Sequence, residues 1–155
     1  QALVRYPVSR RRFRGYRRGL ERHGLRWAEV PVWETVDPGG HTSIEAGYRT
    51  GRAILETRPR PTAILAMSDL LAIGTMKAAR DLGVDVPGEL SVVGYDDVEM
   101  AAIEGLTTVR QPLYDKGLWA GRMLLELIGG TTPDPLRRML PTNLVVRSST
   151  APAPD

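Results

Sequence analysis

Apolar positions along the chain fall into two patterns, short continuous runs and stretches recurring every three to four residues. Their alternation predicts strands interleaved with helices. Residues 2–4 read as a short first strand. Ser9 can cap a helix in which Phe13, Tyr16 and Leu20 recur at helical spacing to about Gly24. Trp27, Val30 and Val32 are interleaved with polar or small residues, which predicts a second strand over 27–33. Thr42-Ser43-Ile44-Glu45 reads as a capping box, with Thr42 and Glu45 satisfying reciprocal backbone donors. The helix it opens must stop before Arg58-Pro59-Arg60-Pro61. Residues 63–66 form a short buried strand, Ser68 caps a helix to Leu82, and Gly83 stands where a left-handed residue ends it. Residues 90–94 are the next buried strand. Beyond Gly105 come an extended 107–110, a helix over 115–128 stopped by Gly129-Gly130, and a last strand over 140–147. Such alternation is the signature of an α/β fold, a mostly parallel sheet covered by helices.

Composition narrows this picture without redirecting it. At 155 residues, with 42% apolar and 25% charged residues, the chain suits one soluble domain of ordinary size. No apolar run approaches the roughly 20 residues of a membrane span. The start carries no secretory signal, and a first residue other than Met suggests a piece of a longer protein. The absence of cysteine excludes disulfides, thiolate metal ligands and cysteine nucleophiles, and fits a reducing cytoplasm. A net charge of +3 is modest, and the basic residues are almost all arginine.

In an open parallel sheet, ligands bind beyond the carboxyl ends of the strands. Two strand ends here run straight into polar residues, Ser68-Asp69 after 63–66 and Asp96-Asp97 after 90–94. In one sheet they would gather three carboxylates and a hydroxyl along one rim, a set better suited to a neutral polyol than to an anion. The alternative is structural: Asp69 caps its helix and Asp97 begins a turn. That reading is preferred for those two.

At this point the residues resemble a known family. The run Pro61 to Gly74, the run Gly83 to Asp97 with its Val-Gly-Tyr-Asp-Asp close, Leu106-Thr107-Thr108-Val109-Arg110-Gln111-Pro112, and Leu144 to Thr150 are similar, in order, to LacI/GalR repressors. Arg12-Phe13-Arg14-Gly15-Tyr16 resembles their Arg-x-x-Gly-aromatic helix. The resemblance implies a periplasmic-binding-protein-like type I fold, a parallel sheet with helices on both faces. Residues 1–106 would be the C-terminal lobe of an effector-binding domain. Residues 107–147 would be the crossover and the last helix and strand of the other lobe, and 148–155 a flexible tail. It further implies a sugar-like effector held by Arg12, Asp96 and Gln111. Ser68 stands where the family usually has Asn, and Tyr6 is a candidate replacement for a missing aromatic, as is Trp33. Leu71 and Thr75 are the candidate dimer contacts. The implied partners are a small effector, a second copy of the chain, and DNA through a headpiece that this sequence does not contain. The implied location is the cytoplasm; no cofactor and no membrane are called for. A sugar-binding protein of an ABC importer, sharing the bilobal fold, is the alternative, and a plain assembly module the third.

Other signals carry less. Arginines 10, 11, 12, 14, 17 and 18 suggest phosphate affinity, but the apolar stripe on the same helix assigns most of them to a solvated face. His23 and His41 are too far apart to suggest a metal site. No phosphate loop, dinucleotide fingerprint or nucleophile elbow is present, so no enzyme is expected.

Overall fold

A computed structural model describes residues 7–35 and 42–152. The expected strand over 2–4, Tyr6 and His41 lie outside them. Helix α1 spans Pro7–Arg22, α2 Ile44–Leu55, α3 Asp69–Asp81, α4 Glu99–Ile103 and α5 Leu113–Ile128. Strands are β1 Ala63–Leu65, β2 Ser91–Asp96, β3 Thr107–Arg110 and β4 Asn143–Val145. They form one sheet in the order β1-β2-β3-β4. The first three run parallel and β4 is antiparallel to β3, pairing Arg110 with Asn143.

Sequence signals place most of these elements. Ser68 caps α3 by accepting from the Leu71 N–H, and Gly83 follows that helix with φ +69°. Several readings need correction. Ser9 is the third residue of α1, which starts at Pro7, and does not cap it; β1 is not buried, since Ala63 and Leu65 are exposed. Residues 27–33 are not a strand: Trp27–Glu29 is a single 3-10 turn, and Trp27 packs edge-on against Phe13 of α1 at 4.9 Å between ring centroids. Alternation there reflects one ring turned inward, with no neighbouring strand to pair. The cap of α2 is Ser43, whose Oγ accepts from the Ala46 N–H at 3.0 Å, not Thr42. Residues 148–151 are fastened, not flexible. Ser149, buried, donates from Oγ to Val92 O at 2.6 Å and accepts from Thr107 N–H at 2.8 Å, and Ala151 is held by Ser91. Residues 153–155 lie outside the description.

The core lies between α3 and the sheet, with Leu55, Ala72, Ala78, Ala79, Leu90, Val92 and Leu106 sealed from solvent. Each leucine so buried stabilises the fold by about 1.5–3 kcal/mol. Helices α2 and α3 approach through glycine. A Cβ at Gly74 would run into the backbone of Ile44 and Tyr48, and one at Gly51 would lie 2.8 Å from Thr75 Cα. This approach covers Leu71 and Thr75, which are only 7% and 4% exposed, and Thr75 Oγ1 donates to Leu71 O at 2.9 Å. The two residues expected at a dimer face are therefore spent inside the chain. Helix α5 has no buried residue, and neither does α1 among its described side chains.

Candidate ligand-binding site

The carboxyl ends of β1 and β2 meet the inner face of α1. Arg12 leaves that helix and donates from Nη1 to Met67 O at 2.5 Å, just past β1, and from Nη2 to Asp96 Oδ1 at 3.0 Å, at the end of β2. Its guanidinium lies over the Tyr95 ring, 3.8 Å from the centroid, a cation–π contact that fixes the plane of the fork. Gln111, immediately after β3, donates from Nε2 to the same Asp96 Oδ1 at 2.5 Å. Two chain segments thus converge on a carboxylate carried by a third, and Asp96 keeps about a quarter of its side chain exposed.

The rim is held from below. Tyr16, one turn after Arg12, donates its hydroxyl to Ala66 O at 3.0 Å, and burial pushes its phenol up to about 12. Tyr16 is therefore a neutral donor at physiological pH. Burial also pushes the Asp96 carboxyl above its ordinary value, against the pull of the Arg12 charge and the Gln111 hydrogen bond. A carboxylate that is partly desolvated in this way gains from any further donor, such as a ligand hydroxyl. Asp97 behaves differently. Burial works to raise its carboxyl, but hydrogen bonds from Arg110 and Arg147 outweigh it and hold the carboxyl below its ordinary value.

Asp69 is structural, as preferred from the sequence, but not as a simple cap. Fully buried, it accepts from Val98 N–H at 2.8 Å and from Thr108 Oγ1 at 2.5 Å, joining α3 to the turn after β2 and to the body of β3. Gly94 makes room for it, since a Cβ there would collide with Asp69 Oδ1. Ser68 is corrected: expected on the ligand, it is 6% exposed and its Oγ serves the α3 cap. Arg12, Asp96 and Gln111 are brought together as expected. Tyr95 and the carbonyl of Met67 are part of the same cluster and were not assigned a role from sequence. The aromatic of the Gly-Tyr-Asp run was the available signal for Tyr95. Most α1 arginines face solvent, and Arg17 pairs with Glu21 on the same helix at 2.9 Å. Among the described residues no three His, Cys, Asp or Glu side chains are grouped to hold a metal, and no helix is long and apolar enough to cross a membrane.

A family model described as a periplasmic binding protein-like domain matches residues 2–150. The HTH-type transcriptional regulator MalR of Streptomyces coelicolor is 38% identical over 152 residues, 97% of this chain and 43% of that protein. A solved LacI-family transcriptional regulatory protein from Corynebacterium glutamicum covers 94% of this chain at 33% identity and TM-score 0.77. The chain belongs to the LacI family. A LacI family transcriptional regulator from Enterococcus faecium, solved with bound ribose, matches 92% of the chain at 25% identity and TM-score 0.76. The chain spans about half of each of these LacI-family structures, 54% and 51%. Relatives named as transcriptional regulators agree with the expectation of a non-enzyme and do not favour the importer alternative.

Proposed function

We propose that this chain is the effector-sensing portion of a cytoplasmic LacI-type regulator, and that its effector is a small neutral polyol, a sugar or sugar derivative. The observation that carries this reading is the convergence of Arg12 and Gln111 on Asp96 at the strand ends. Together they offer a charged acceptor with fixed donors beside it, the arrangement that vicinal hydroxyls can bridge by donating to the carboxylate and accepting from the guanidinium. The ribose found in one relative supports the class, not the identity. Binding then alters operator affinity, through a headpiece outside this chain, by the difference in effector affinity between two lobe arrangements.

Calorimetric titration of the full-length regulator with pentoses, hexoses, disaccharides, nucleobases and sugar phosphates tests the assignment. A neutral sugar should bind, and Asp96→Ala should weaken it by roughly 10–100-fold, the loss of a hydrogen bond to a charged group. Unchanged affinity in that variant would move the site elsewhere.

The regulator is further proposed to act as a homodimer. With Leu71 and Thr75 enclosed, the exposed apolar side chains of α4, Met100 and Ile103, are the better contacts; Ile103 is 75% exposed. Ile103→Asp should shift the sedimentation of the full-length protein from dimer to monomer while leaving its far-ultraviolet circular dichroism unchanged. An unaltered dimer would clear α4 of this role.

A further inference from the structure

Two consecutive non-glycine residues, Asp96 and Asp97, adopt positive φ, +124° and +61°. L-residues with a Cβ rarely take such angles, so the surrounding contacts must impose them. Asp97 shows what does so. Its Oδ2 accepts from Arg110 Nε at 2.5 Å and its Oδ1 from Arg147 Nη2 at 2.7 Å, with the carboxylate 7% exposed. Arg147 is itself fixed, donating from Nη1 to Leu106 O at 2.7 Å and from its backbone N–H to Thr107 Oγ1 at 2.9 Å. Arg110 ends β3 opposite Asp96 in register, one residue before Gln111 and three before α5 begins. Arg147 follows β4 by two residues. One carboxylate therefore ties the exit of β2 to the end of β3, where the chain leaves for α5, and to the segment that follows β4.

We propose that Asp97 is a positioning residue: clamped by Arg110 and Arg147, it enforces the reversed backbone that turns the neighbouring Asp96 carboxylate onto Arg12 and Gln111. This rests on the reading of Asp96 as the effector's acceptor, and it adds a physical link. The residue beside the one that meets the effector is bonded to the last residue of β3, three before α5, so effector occupancy and the chain's departure toward α5 share a single turn of backbone.

Asp97→Gly separates the clamp from the strain, because glycine tolerates the backbone angle but supplies no carboxylate. Asp97→Asn keeps the shape and removes the charge. Two measurements on the full-length protein decide the matter. Without ligand, NMR solvent exchange of the Arg12 side-chain protons should rise roughly tenfold in both variants, the equivalent of losing one charge-assisted hydrogen bond. Exchange at Arg17, which among the described residues pairs with Glu21 on its own helix, should not change. With the tightest-binding sugar of the titration panel, affinity should fall by a similar factor, and this loss should disappear in an Asp96→Ala background. Unchanged Arg12 exchange, or the same affinity loss with and without Asp96, overturns the positioning role. Faster Arg12 exchange in a protein that binds no sugar would uphold the positioning role and overturn the sugar reading instead.

Discussion

Asp69→Ala should lower the stability of this protein by about 2–5 kcal/mol, the largest effect expected of a side chain outside the ligand rim. The reasoning is local. Asp69 is sealed from solvent, and its two oxygens satisfy the Val98 amide and the Thr108 hydroxyl. Alanine leaves both donors buried with no acceptor, and each orphan costs about 1–3 kcal/mol. It also opens a space beneath Gly94, where the backbone has been brought against Asp69 Oδ1. For a domain of this length the melting temperature should drop by roughly 5–15 °C, read by thermal denaturation followed by circular dichroism. Asp69→Asn should fall between, since its amide nitrogen cannot accept. A decrease of under two degrees for the alanine variant would mean that the turn after β2 and strand β3 are held to α3 by something other than this carboxylate.

Gly74→Ala should destabilise by about 1–3 kcal/mol or more, although alanine is the better helix former by about 1 kcal/mol. The sign is set by packing. The new methyl would overlap the backbone of Ile44 and Tyr48, and backbone cannot swing aside as a flexible side chain could. Gly117→Ala in α5 is the matched comparison, because nothing lies within 4 Å of its added carbon. There the helix-propensity gain stands alone, and urea denaturation should show stabilisation of about 0.5–1 kcal/mol. If both substitutions shifted the midpoint in the same direction, the close approach of α2 and α3 would not be what stabilises this pair.

How much of this was legible in the sequence depends on distance along the chain. Ser68 and Gly83 act within a few residues of themselves, so the α3 cap and its left-handed stop could be read directly. Asp69 meets Val98 and Thr108, 29 and 39 residues away, and nothing nearby signals those partners. Leu71 and Thr75 show the limit of helical periodicity. Spacing separates the faces of α3 but does not say which one α2 will cover. Gly47, Gly51 and Gly74 decide that, and in the sequence each is only a weak position in a helix. Arg12, Asp96 and Gln111 came from a family resemblance; spacing alone left Asp96 and Asp97 equivalent. The difference between them is one of partners and exposure: Asp96 meets Arg12 and Gln111 and stays about a quarter exposed, whereas Asp97 is closed on two arginines.

The contact between α2 and α3 also constrains how this part of the fold can move. Two helices that touch through ordinary side chains can slide by a fraction of a turn, each ridge finding a new groove. Here the backbones themselves are in contact, and a slide of one residue would bring a Cβ into a space that only glycine fits. Shear between these layers is closed off. Any rearrangement on effector binding must therefore carry α2 and α3 as one rigid slab, leaving rotation about the strand connections as the available hinge.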